Sequence, residues 1–197
     1  MFNVALYENT GSKLTKRYRI KAGRLHKDMP SMSVTHYQRL QLHDLAELKA
    51  LIESCSHSQA IGHGYIPDVE PGQQIRMATA GEFAEMGGKP GELLHKGGDT
   101  WASRTKGFFT YGSGQALIML DYDPDEHAPA AAAGITGPDD LLARLSQVHP
   151  CFNEVGYLRT YSTSSGIYDR KTGECLKPAE GMHVYLVVED GSDIERF

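Results

Sequence analysis

The chain has 197 residues, 40% hydrophobic and 9% aromatic, and its 25 acidic and 20 basic side chains leave a net charge of −5. That is a globular composition, long enough for one domain or two small packed ones. No run approaches the ~20 consecutive apolar residues that span a bilayer, and Met1-Phe2-Asn3 does not begin a basic-then-apolar leader, so the sequence argues for a cytoplasmic protein and against a membrane partner.

The first forty residues hold eight basic side chains (Lys13, Lys16, Arg17, Arg19, Lys21, Arg24, Lys27, Arg39) against Glu8 and Asp28, a local +6 that leaves −11 for the remainder. A chain polarised in this way can offer one surface to a polyanion and keep its carboxylates for other work. The pattern predicts strands over 2–8 and 17–21, followed by a polar loop. Asp44 is then an N-cap with Glu47 three residues on, and Leu45, Leu48, Leu51, Ile52 and Cys55 fall on one face of a helix over 44–56. A short strand over 59–65 follows. Residues 67–100 are rich in Gly and Pro and read as loop, with capping signals at Thr79 and Glu82 and a helix start at Pro90.

The most apolar segment, residues 116–120, runs without alternation into Asp121, which predicts a strand covered on both faces near the centre of a sheet. A short alanine tract, 130–133, lies between Pro129 and Gly134. Pro138 sets up a helix carrying Leu141, Leu142, Leu145 and Val148 and ended by Pro150. Strands over 155–162 and 182–188 flank a polar excursion in which residues 169–173 read as a hairpin turn. Cys55, Cys151 and Cys175, odd in number and widely spaced, read as small buried apolar residues in a reducing compartment. Ser192 and Glu195 form a capping signature for a helix that the sequence stops two residues later, which predicts an N-terminal piece of a longer protein.

Chemistry concentrates in two places. In Leu120-Asp121-Tyr122-Asp123-Pro124 the period of two in a strand puts Asp121 and Asp123 on one face, about 7 Å apart at Cα, with Pro124 ending the strand. Adjacent carboxylates beside a dry core are costly unless a cation neutralises them, and no Lys or Arg occurs between Asp121 and Asp140, so Mg²⁺ or Mn²⁺ is the expected cofactor. In Gly181-Met182-His183-Val184-Tyr185, His183 begins an apolar strand and shares a face with Tyr185 and Val187, after a glycine that leaves room for a phosphate. Arg159 and the Tyr161 to Gly166 stretch, Ser165 included, lie between the two, and Arg104, Lys106 and the Gly112-Ser113-Gly114 loop lie upstream, as hydroxyls, cations and flexible backbone for an anionic ligand. The glycine loop is no dinucleotide fingerprint, since Leu117 stands at the third glycine position, and it is no Walker loop.

Taken together, the strand ending in Asp121-Tyr122-Asp123, the Ser/Gly stretch and Gly181-Met182-His183 resemble the archaeo-eukaryotic primase superfamily, and most of all the primase-polymerase domains fused to helicases in bacterial mobile elements and phages. The resemblance runs from about Arg104 to Val188. It implies a mixed α/β fold with an α/β N-terminal unit, expected over 1–100, beside an RNA-recognition-like sheet unit over 101–197. It also implies that Asp121 and Asp123 hold the catalytic divalent metals while Gly181 and His183 contact the triphosphate, with Ser165, Arg104, Lys106 and Arg159 as further nucleotide contacts. The family's third motif, an aspartate on a later strand, is missing: Asp190 follows His183 by seven residues, about 23 Å if extended, and is not given that role. The expectation is therefore a DNA primase-type nucleotidyltransferase for replication, its partners nucleoside triphosphates, a single-stranded DNA template and a helicase, with this chain alone binding metal weakly. Two other readings stay open: a replication module that binds nucleic acid without catalysis, and a Mn²⁺-dependent glycosyltransferase built on the Asp-x-Asp pair.

Overall fold

The computed structural model describes residues 1–11, 13–14, 16–22, 24–28, 35–123, 134–162, 165–178 and 181–196. In chain order the strands are β1 (Phe2–Asn9), β2 (Arg17–Lys21), β3 (Arg24–Asp28), β4 (Thr35–Leu42), β5 (Gln59–His63), β6 (Gln74–Ala78), β7 (Leu94–Lys96), β8 (Asp99–Ser103), β9 (Ala116–Tyr122), β10 (Tyr157–Tyr161), β11 (Ile167–Tyr168), β12 (Cys175–Lys177) and β13 (Met182–Val188). The helices are α1 (Leu45–Ser54), α2 (Ala80–Glu85) and α3 (Pro138–Val148), with 3-10 turns at Lys106–Phe108, Pro150–Asn153 and Gly191–Arg196. The fold is mixed α/β, with strands prevailing.

The chain divides into two units: Met1–Arg17 with Asp28–Leu117 and Val187–Phe197, and Tyr18–Lys27 with Ile118–Leu186. The boundary between the two largest segments falls within β9, between Leu117 and Ile118, and not at residue 100.

The first unit is built on a six-stranded sheet of order β5-β1-β4-β6-β8-β7, antiparallel except for the parallel pair β6 and β8. Cross-strand partners share a face, and the register Ala5↔Arg39, Tyr37↔Ile75 and Met77↔Ala102 lines up the odd side of β1 and β4. Ala5, Tyr37, Ile75, Met77 and Ala102 form a core there with Phe83 of α2 and Phe108, whose rings meet edge to face at 5.5 Å. The buried Tyr37 hydroxyl accepts a hydrogen bond from the Ile66 amide at 2.9 Å, so its polar atom is satisfied. α1 begins where Asp44 accepts from the amides of Ala46 and Glu47, and it buries Leu48. α2 begins in a reciprocal cap between Thr79 and Glu82.

The second unit holds a three-stranded sheet of order β10-β13-β9. Met182, Val184 and Leu186 on one side of β13 form a core with Ile135 and with Leu142 of α3, and Ile118, Leu120 and Tyr122 of β9 pack against it. Residues 169–173 make the expected turn between β11 and β12, with the Asp169 carboxylate accepting from the amides of Lys171 and Thr172.

Several expectations need correction. β9 lies at the edge of the sheet among the described residues, and β13 lies at its centre. The apolar run at 116–120 reflects cover on its faces, where Ala116 and Leu117 are buried, and not a position between two strands. The polar loop after β2 is instead β3 and then β4, whose Thr-His-Tyr-Gln-Arg alternation conceals the buried Thr35 and Tyr37. Residues 67–100 contain β6, β7 and part of β8 besides α2, and Pro90 lies in a turn. Val148, counted on the apolar face of α3, is 83% exposed, because it is the last residue of its helix. Cys151 and Cys175 are exposed and only Cys55 is partly buried, which raises its thiol pKa by desolvation. The C-terminal cap is Asp190, whose carboxylate accepts from the Ser192 amide and hydroxyl at 2.9 and 2.7 Å and so starts a 3-10 turn. Pro124, the 130–133 tract, Thr163 and Ser164 lie outside the described residues.

Candidate functional site at the end of β9

Alternation along β13 sends Met182, Val184 and Leu186 into the core and leaves His183 and Tyr185 on the opposite face. β9 divides likewise: Ile118, Leu120 and Tyr122 pack on the core side, and Asp121 points to the other. The result is a direct juxtaposition, with His183 Nε2 at 3.4 Å from Asp121 Oδ1. The Asp121 side chain is 56% exposed and that of His183 is 25% exposed, so the pair sits at the surface on a half-buried base. The register of β10 with β13 pairs Thr160 with His183 and Leu158 with Tyr185. Thr160 makes a hydrogen bond with Tyr185, and the rings of His183 and Tyr185 stand perpendicular at 6.4 Å. Burial raises the Tyr185 phenol pKa above its ordinary value, the Thr160 hydrogen bond opposes that, and the Asp121 charge adds to it. Asp121, Thr160, His183 and Tyr185 therefore occupy one face.

Two residues further along, just past the end of β9, the Asp123 carboxylate lies against Gly181. A Cβ on Gly181 would stand 3.0 Å from Asp123 Oδ1, 3.0 Å from Ser165 Oγ and 3.1 Å from Ser162 Cβ, closer than side chains normally approach. The need for glycine here is one of space. Ser165 clamps the residue: its hydroxyl accepts from the Gly181 amide at 3.0 Å and lies 2.9 Å from the Gly181 carbonyl, to which it donates. The Ser162 amide donates to that carbonyl at 3.0 Å, and the Ser165 amide donates back to the Ser162 carbonyl at 2.8 Å. The serine stretch thus holds the mouth of β13 and brings Gly181 up to the second carboxylate.

The remaining sequence candidates lie elsewhere. Arg159 is paired with Val184, hence on the opposite face from His183, and its guanidinium stands 5.7 Å from the ring centroid of Tyr161. Arg104 and Lys106 belong to the first unit. Arg104 acts electrostatically on Tyr7 and Glu82, and Lys106 lines an open cavity of about 330 Å³ with Phe109, Tyr111 and Ile194. Thr160 was not anticipated from the sequence. A threonine between an arginine and a tyrosine carries no signal of its own, and only the pairing register puts it beside His183.

Asp121 and Asp123 are two exposed carboxylates at the end of a strand, a hard oxygen donor set that suits a hydrated Mg²⁺ or Mn²⁺ shared with ligand oxygens. Among the described residues no three His, Cys, Asp or Glu side chains converge as metal ligands. Among the described residues, no helix is long and apolar enough to cross a membrane. Comparison with known proteins finds no matching family model, no matching curated protein and no matching solved structure.

Proposed function

We propose that the Asp121–His183 face is the nucleotide site of a metal-dependent nucleotidyltransferase of primase or primase-polymerase type, acting on nucleoside triphosphates opposite a single-stranded DNA template. The fold proposed with it is primase-polymerase-like. The observation that carries the reading is a pair of proximities, Asp121 to His183 at 3.4 Å and Asp123 against Gly181. It supports the reading because the two sequence motifs, about sixty residues apart, meet at one end of the sheet, putting carboxylates that could hold a metal beside a histidine that could hold a phosphate.

Asp121 and Asp123 would hold the divalent ion, which supplies charge neutralisation at the triphosphate and activation of a 3′-hydroxyl. His183 Nε2, a ring nitrogen that donates when it carries a proton, is placed to hold a triphosphate oxygen beside that ion. Gly181, expected to contact the triphosphate, is buried with its amide and carbonyl both bonded within the serine stretch, so it and Ser165 have a positioning role beside Asp123 in place of direct phosphate contact. Arg159 on the other face and Arg104 and Lys106 in the first unit are left out of this assignment.

A second reading, a nucleic-acid-binding replication module without catalysis, is favoured by the lack of a third converging ligand among the described residues. Calorimetry with a nucleoside triphosphate and Mn²⁺ separates the readings. Asp121→Asn is expected to weaken metal-dependent nucleotide binding at least tenfold while the protein stays folded, because the side chain is exposed. Unchanged binding in the variant, or tighter binding of a nucleotide sugar than of the plain triphosphate, refutes the assignment. Binding of single-stranded DNA with no metal-dependent nucleotide binding supports the accessory module.

A further inference from the structure

We infer that the β2–β3 hairpin is a binding arm for the sugar-phosphate backbone of single-stranded nucleic acid. The eight cations of the first forty residues do not act as one group. Arg39 serves the fold: its Nε donates to Asn3 Oδ1 at 2.9 Å, a terminal nitrogen donates to the Val69 carbonyl at 3.1 Å, and the guanidinium lies 4.2 Å from the Tyr65 ring centroid. Apart from Lys13, the exposed charge among these eight is on the hairpin, where Arg17, Arg19, Lys21, Arg24 and Lys27 are all exposed and Tyr18 and Leu25 are half-buried. Asp28, half-buried, is the single acidic residue of the two strands.

A two-stranded ribbon that exposes five cations on a chain of net charge −5 concentrates positive charge locally. It complements a linear polyanion. The hairpin residues 18–27 group with Ile118–Leu186, the unit that carries Asp121 and His183, and not with the six-stranded sheet from which β2 and β3 depart. That unit also exposes two aromatic rings, Tyr161 at 56% and Tyr168 at 60%, the first beneath the Arg159 guanidinium. Exposed rings stack on unpaired bases and find no such surface on a duplex, so the geometry favours a single strand. The choice of nucleic acid among polyanions rests on the nucleotidyl-transfer reading, whereas the concentration of charge does not.

The test is fluorescence anisotropy of a labelled oligothymidylate against salt concentration, without metal or nucleotide, so that it does not involve the Asp121–His183 site. For a single strand the slope of log affinity against log salt changes by about 0.7 for each phosphate contact. Lys21→Gln with Arg24→Gln and Lys27→Gln is expected to reduce the slope by about 2, and Arg24→Lys alone to leave it within 0.3 (on the order of half of one contact). A triple variant with unaltered slope overturns the inference and leaves the nucleotide site standing. So does a hairpin-dependent binding to anionic phospholipid vesicles with none to the oligonucleotide, which identifies a membrane arm. Duplex bound as tightly as the single strand overturns the commitment to unpaired bases. Loss of slope in the triple variant, with its circular dichroism and thermal midpoint unchanged and the slope retained by Arg24→Lys, supports the arm, and loss of slope with an altered fold in the triple variant and a changed slope in Arg24→Lys overturns it.

Discussion

The two faces of the three-stranded sheet are made by the same strands and differ in almost every physical respect. On one, Met182, Val184 and Leu186 alternate into a core closed by α3 and by Ile118 and Leu120. On the other, one residue out of step along β9 and β13, stand Asp121, His183 and Tyr185, with Thr160 set beside them by the β10 pairing register, polar and partly exposed. The first face gains its free energy from removing apolar surface from water, about 25 cal/mol for each Å². The second leaves an acid beside a histidine where solvent still reaches both, and this contact stabilises the fold little. Most of the core lies on one side of these strands and the polar pair on the other, so a substitution deep in the core should leave the chemistry of the open side untouched.

The largest effect should come from the closed face. Leu186→Ala is expected to cost about 2–5 kcal/mol in chemical denaturation, from lost burial and the cavity left behind, without changing the intrinsic affinity of the folded protein for a triphosphate. A loss below 0.5 kcal/mol (on the order of a surface substitution) would break the comparison. Next is Gly181→Ala, where the added methyl meets the Asp123 carboxylate and the Ser165 and Ser162 side chains at about 3 Å. Crowding of this kind costs about 1–3 kcal/mol, and here it should also weaken nucleotide binding, since the second carboxylate must move. Equal stability with full binding would show that the clamp yields without consequence.

The smallest effect is an electrostatic one across the open face. Burial, first, and the Asp121 charge both raise the Tyr185 pKa, so Asp121→Asn should lower it toward the ordinary tyrosine value, measured by carbon NMR of the phenol ring. The sign for stability follows. A raised phenol pKa stabilises the fold fully below the unfolded value near 10 and loses that contribution as pH rises through the folded pKa. Removing the Asp121 charge therefore moves the loss to lower pH. A Tyr185 titration unmoved by the substitution would place the carboxylate off this face.

Much of this was legible from the residues alone. Alternation gave the span of β13 and placed Tyr185 with His183, the Asp44 and Thr79 caps gave the starts of α1 and α2, and the Asp169 turn gave the β11–β12 hairpin. These are local effects, fixed by a period of two or by a side chain reaching two or three residues along its own backbone. β4 was missed for the same reason inverted, since its polar residues sit on a half-covered face that only the neighbouring strands create.

The sequence by itself determined that two carboxylates share one side of a strand, that a histidine and a tyrosine share one side of another, and that the N-terminal forty residues carry the positive charge. Tertiary structure alone decided that the carboxylate and histidine sides are the same side, that Ser165 holds Gly181 while Arg159 turns away, and that Arg39 is held within the fold while the hairpin cations are exposed. Strand order and register bring together residues about sixty positions apart, and a one-residue shift in pairing would send each side chain to the other face. That parity is a property of the assembled sheet, and no single strand contains it.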